Sequence, residues 1–177
     1  NQLHIHLAPG AISLLRMHRP SHWGDSLVGV RPMIELVQQN NTALSGMETG
    51  RHGAGMRGIV PISDSDGFGS RVIASLEVGF GMLPELQQLD EELQAGLALL
   101  LNRSLLEDVV LDHADAGLVE LKGSDWWLDQ SSRADAMDWF SADSVSQALR
   151  QDGNAELALE GRYYLLTSVP MVDFQSR

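Results

Sequence analysis

The residues that could do chemistry are concentrated in the first 81 positions. These hold five of the six histidines (His4, His6, His18, His22, His52) and six arginines (Arg16, Arg19, Arg31, Arg51, Arg57, Arg71), with no lysine. A guanidinium is a planar fork of donors that grips a carboxylate, phosphate or sulfonate at two points, whereas an ammonium is a mobile point charge. An anion site therefore belongs in this half, if anywhere. Six acids (Asp25, Glu35, Glu48, Asp64, Asp66, Glu77) balance the arginines there, so the same groups could instead pair locally and stitch loops. Residues 82–177 carry the other 6 basic groups against 18 acidic ones, and 6 − 18 accounts for the whole net charge of −12.

The histidines raise metal binding as the alternative, because imidazole suits zinc, iron, copper and nickel. His4 and His6 alternate with Leu3, Ile5 and Leu7, and Glu48 lies in the same half. Pro20 opposes a helical i,i+4 pair of His18 and His22, so any further ligands must converge through the fold. Nothing in the spacing attaches a haem, and no metal or cofactor is assigned. Other chemistries fall away. The absence of Cys excludes disulfides, thiolate metal sites and a Cys nucleophile. The single lysine, Lys122, precedes Gly123, so no phosphate loop ends on it. No G-x-S-x-G elbow is present. The glycine-rich run Gly50–Gly58 has the wrong spacing for a dinucleotide fingerprint and precedes a strand. The charge of −12 repels nucleic acid and anionic membrane alike. The richest apolar run, Leu97–Leu101, falls far short of the ~18–20 residues that span a bilayer.

Elements must position these groups. Leu3–Leu7 alternates with period 2, predicting a strand with its leucine and isoleucine face in a core and His4 and His6 together on the opposite face. Ala11–Met17 could be helix or strand. Gly24-Asp25-Ser26 offers an N-cap, and a helix is expected over Pro32–Gln39, ended by Asn40-Asn41. Strands follow at Leu44–Thr49, Met56–Ile62 and Arg71–Val78, the last two joined by the turn chemistry of Asp64-Ser65-Asp66-Gly67. Leu86, Leu89, Leu93, Leu97 and Leu100 form one stripe at helical spacing, predicting a core-packed helix over Met82–Arg103. Beyond it a strand is expected at Leu105–Leu111, a helix at Asp143–Arg150, strands at Leu157–Leu159 and Tyr163–Pro170, and a turn over 171–177. Of Trp126-Trp127, one ring should pack inward and the other lie over a surface or ligand.

The order of segments Leu3-His4-Ile5-His6-Leu7-Ala8-Pro9-Gly10, Ser13–Pro20, Gly24-Asp25-Ser26-Leu27, Val30-Arg31, Ser45–Arg51, Gly55–Ile62 and Ser75–Phe80 resembles a bacterial extracytoplasmic sensor of the double Cache type. The resemblance is good over 3–81, weak over 82–160, and recovers in Tyr163–Phe174. It implies an α+β fold: a PAS-like antiparallel sheet flanked by helices over 1–81, a connecting amphipathic helix over 82–103, and a smaller C-terminal α/β lobe over 104–177. It also implies a module of a chemoreceptor, sensor kinase or cyclic-di-GMP enzyme. Such a module has no catalytic activity of its own, lies in the periplasm as part of an inner-membrane receptor, and binds a small molecule whose arrival is relayed across the membrane. A homodimer in the full receptor is one assembly the resemblance allows, and nucleic acid is not an expected partner.

The Tyr, Arg, Trp and Asp signature of amino-acid-binding Cache domains is not present, so the ligand must be read from the residues themselves. Arg31, Arg57 and His6 are the expected donors to a small carboxylate, Arg16 and Glu48 its orienting or mutually ion-paired neighbours, and Trp23 an apolar wall. The alternative is a metal- or haem-responsive sensor using the N-terminal histidines.

Overall fold

The structure, a computed structural model, describes residues 2–50, 53–65, 70–107, 117–140, 142–149 and 154–175. The chain divides into two compact units. Counting described residues only, the first comprises 2–81 with 172–175 and the second 82–107 with 117–171.

The first unit is an antiparallel sheet of five strands, β1 (Gln2–Leu7), β2 (Ile12–Arg16), β3 (Leu44–Gly50), β4 (Gly53–Ser65) and β5 (Ser70–Phe80), in the order β2-β1-β5-β4-β3, with one helix, α1 (Pro32–Asn40), on one face. Ala11–Met17 thus resolves as strand. Pro32, whose fixed φ suits a first turn, opens α1, and Asn41 at φ 51° closes it in the left-handed conformation. Met33, Ile34 and Val37 recur at helical spacing and bury fully against Ile59, Leu27 and Ala11, with Leu44 and Phe174 at the margin. Phe174 N–H donates to Met47 O at 2.9 Å, so 172–175 belongs with the first unit, not with the C-terminal lobe expected over 104–177. Asp25 does not cap a helix; it binds Arg16.

Period 2 is correct in β1, but the faces are inverted, and β5 likewise turns its polar face inward. His4 and His6 are buried and Leu7 is exposed; in β5, Ser75 and Glu77 are buried while Val78 is exposed. Because α1 covers the face carrying the polar residues, the apolar alternation lies on the less protected side, where Val60 and Phe80 also remain partly exposed.

The second unit is also α+β. It holds α2 (Leu83–Leu93), β6 (Ala98–Asn102), α3 (Arg103–Glu107), β7 (Val119–Glu120), β8 (Trp126–Ser131), α4 (Ala136–Trp139), α5 (Ala142–Ala148), β9 (Asn154–Leu159) and β10 (Arg162–Thr167). Its strands pair antiparallel as β6-β8-β7 and β10-β9, and its core is Leu121, Leu128, Ala136 and Val145. The long helix expected over Met82–Arg103 is corrected: it stops at Leu93, Gln94 adopts φ 53°, and the chain turns into strand at Ala98–Asn102 with Leu99 and Leu101 buried. The left-handed Gln94 closes the helix, and Gly96 beyond it lies against the Trp139 ring, where a Cβ would sit 2.3 Å away. No residue of α2 is buried, so its leucine stripe is not core packing. The strand expected at Leu105–Leu111 is instead α3 up to Glu107, and 108–111 lies outside the described residues. Trp126 packs against the core, and Arg103 stacks 5.9 Å from the Trp127 ring.

Candidate functional site

Strand register assembles a polar group beneath α1. His4 lies opposite Glu77, and Glu77 opposite Ile59 on its other side; His6 lies opposite Ser75. Arg57 lies opposite Gly79, which in turn faces Gln2. Arg57 therefore reaches across a strand with no side chain at the crossing, and its Nη1 donates to Gln2 Oε1 at 2.9 Å. A Cβ on Gly79 would stand 2.2 Å from that Nη1, so the glycine makes the crossing possible.

Arg31 immediately precedes α1 and points into this group. Its Nε donates to Glu48 Oε2 and its Nη2 to Glu77 Oε1, each at 2.6 Å. The other Glu48 oxygen accepts the Met33 N–H at 3.0 Å. Glu48 thus supplies, from β3, the acceptor that the first turn of α1 lacks, in the place where a helix N-terminus favours an anion. Both carboxylates are buried, and a buried carboxylate survives only when paired in this way.

Burial alone would pull the Arg31 pKa down, but Glu48 and Glu77 reverse it and hold the guanidinium above its ordinary value. Burial would likewise raise Glu77, and Arg31 outweighs it, so this carboxyl stays below the usual range. Burial and the neighbouring Arg31 charge lower Arg57. The imidazoles are pushed down by burial, His4 to about 4 and His6 to about 3, with the Glu77 carboxylate only partly offsetting the loss of water. At neutral pH the group holds two cations, two anions and two neutral rings.

The outer nitrogens of both rings meet serines: His4 Nε2 lies 2.8 Å from Ser13 Oγ, and His6 Nδ1 lies 3.4 Å from Ser75 Oγ. The inner nitrogens converge on one oxygen. His6 Nε2 is 3.3 Å and His4 Nδ1 is 3.9 Å from Glu77 Oε2. Although the 3.3 Å distance would suit a hydrogen bond, its angles do not, and His6 Nε2, Glu77 Oε2 and Arg57 Nε are buried without a hydrogen-bond partner among the described residues.

Of the expected site residues, His6, Arg31, Glu48 and Arg57 come together. Arg16 and Trp23 do not serve as expected. Arg16 pairs with both oxygens of Asp25, at 2.7 and 2.8 Å, and donates to His22 O, so it pins the 17–25 loop and makes no pair with Glu48, whose oxygens are taken by Arg31 and Met33. Trp23 is 71% exposed and walls no buried site. His18 and His22 lie on exposed turns, and His52 falls outside the described residues. Sequence reasoning missed Glu77, Ser13 and Ser75; the signal for Glu77 was its place on the strand that pairs with His4. Among the described residues, His4, His6 and Glu77 are the one group whose ligand atoms are close enough to share a metal ion.

No curated protein and no solved structure matches the chain. A family model, dCache_3, described as the double sensory domain of two-component sensor kinase, matches residues 1–177. The match extends through 82–160, where the sequence resemblance is weakest, and the five-stranded sheet under a helix agrees with the fold it implies. The chain belongs to this family of double Cache sensory domains.

Proposed function

We propose that the first unit is the ligand-sensing module of an extracytoplasmic receptor, on the periplasmic side of an inner membrane, and that its ligand is a small molecule with a carboxylate or similar anionic group. Its family supports the sensory role. One observation carries the anionic preference: Arg57 Nε is buried without an acceptor among the described residues, while two donors of the neighbouring Arg31 are already spent on Glu48 and Glu77. A buried donor left unpaired costs about 1–3 kcal/mol, so a ligand oxygen placed there both removes that cost and gains a charge-assisted bond. Arg57 is therefore the contacting cation, and Arg31 and Glu48 tie the contact to the start of α1. A shift of that helix would carry the signal toward the kinase across the membrane.

The test is a thermal-unfolding screen of the 177-residue chain against small carboxylates and sulfonates, with Arg57→Gln alongside. A ligand that binds the folded chain raises the midpoint with concentration, and that rise should vanish in Arg57→Gln. The reading fails if no anion raises the midpoint, or if the variant responds as the parent does.

A further inference from the structure

The geometry points to a divalent transition-metal site formed by His4 Nδ1, His6 Nε2 and Glu77 Oε2. It goes beyond the anionic-ligand reading and stands without it. One ligand atom from each of the three residues lies within 4.8 Å of the other two. Donors held ~2.1 Å from one tetrahedral ion sit roughly 3.3–3.4 Å apart, and the observed separations from Glu77 Oε2 are 3.3 and 3.9 Å. Two of the ligand atoms, His6 Nε2 and Glu77 Oε2, are buried without a hydrogen-bond partner among the described residues. A tautomer with Nδ1–H on Ser75 Oγ leaves His6 Nε2 as an acceptor 3.3 Å from a carboxylate oxygen. Two acceptors this close in a dry interior call for a cation between them.

The surroundings are those of a ligand set held from behind. Ser13 Oγ and Ser75 Oγ engage the outer nitrogens of the two rings, and Gln38 Nε2 in turn donates to Ser75 Oγ at 3.1 Å. Arg31 Nη2 holds Glu77 Oε1 and turns Oε2 toward the rings. Such outer partners fix ring orientation and the donating nitrogen. Imidazole donors select zinc, cobalt, nickel, copper or iron over calcium and magnesium. The two arginines cancel Glu48 and Glu77, so a divalent ion would leave the group net positive, and an anionic fourth ligand is favoured over water.

The experiment titrates Co²⁺ into the untagged, chelator-stripped chain, because cobalt reports its donor atoms in visible absorption. One ion per chain is expected. His4→Gln and His6→Gln should each lower affinity at least tenfold with unchanged far-UV circular dichroism. Ser75→Ala should weaken binding by about 10–100-fold while keeping the spectrum. The His18→Gln/His22→Gln double variant should bind as the parent does. A second readout needs no variant: Zn²⁺ should move the ¹⁵N resonances of His4 Nδ1 and His6 Nε2. The proposal is overturned by the absence of saturable binding, by binding that survives both His4→Gln and His6→Gln, by loss on removing His18 and His22, or by unmoved imidazole resonances.

Discussion

The two units use the same bond in opposite settings. In the second, Arg133 Nε and Nη2 grip the two oxygens of Asp90 at 2.7 and 2.5 Å on an exposed surface, and the unit's core is apolar. In the first, Arg31 joins Glu48 and Glu77 inside the fold, under the helix that should protect hydrocarbon. Exposed ion pairs contribute little, because water already solvates both partners. A buried cluster must offset the loss of that water, and apolar residues of similar volume are often as stable or better. The polar interior of the first unit is therefore hard to explain by stability and easy to explain by recognition.

Removing one cation from each unit gives the largest expected contrast. Arg31→Met strands two buried carboxylates and takes away the group that holds Glu48 at the start of α1, so unfolding in urea should show a loss of about 3–5 kcal/mol. Arg133→Met should leave the midpoint almost where it was. Equal losses would mean that the buried cluster is an ordinary structural pair and would end the distinction.

Acid should separate the units next. An unfolded histidine titrates near 6.5, whereas His4 and His6 hold out to about 4 and about 3 when folded. Between those values the unfolded chain binds protons that the folded one refuses, so stability is full above pH 6.5 and falls as pH drops. Glu77, also depressed, adds to the loss in the same direction once its unfolded range is reached. For chelator-treated protein the slope should approach about 1.4 kcal/mol per pH unit for each histidine. Denaturant titrations at pH 7, 6 and 5 measure it, and a flat profile would show that the rings are hydrated.

Much of this polar interior could be read from the sequence, but its burial could not. Alternation in Leu3–Leu7 placed His4 and His6 on one face, and the excess of arginine and histidine marked the right half of the chain. The face itself was misassigned, because leucine and isoleucine at alternate positions ordinarily mark the core, and only the placement of α1 reverses that. Glu77 was missed for the same reason: flanked by Leu76 and Val78, a lone acid in a strand reads as solvent-facing. In 82–103 a leucine spacing that fits a helix continues through Gly96, but the helix closes at the left-handed Gln94, where no glycine or asparagine announces it.

The two glycine contacts offer a finer comparison. Gly96→Ala drives a Cβ into the rigid Trp139 ring, an overpacking expected to cost about 1–3 kcal/mol. Gly79→Ala meets Arg57 Nη1 at 2.2 Å, but the far end of an arginine can move aside. It should cost only about 1 kcal/mol, the worth of the bond to Gln2, while abolishing the ligand-dependent rise in unfolding midpoint. Chemical denaturation of both variants, with the anion screen on Gly79→Ala, distinguishes a packing contact from a site contact.

The smallest effect concerns Asp90. Arg133, with Ser132 Oγ assisting, lowers its carboxyl from 3.8 to about 2. Because the folded value lies below the unfolded one, the bridge contributes fully above pH 3.8, and its contribution disappears as pH falls toward about 2. That is below the window in which the first unit loses its histidine contribution. Asp90→Asn should therefore cost only the small worth of an exposed pair, by the same amount at pH 7, 6 and 5, and leave the slope over that range unchanged. If the variant instead lost the slope assigned to His4 and His6, the acid sensitivity would come from surface carboxylates, and the contrast between a hydrated bridge and a buried cluster would have no measurable consequence.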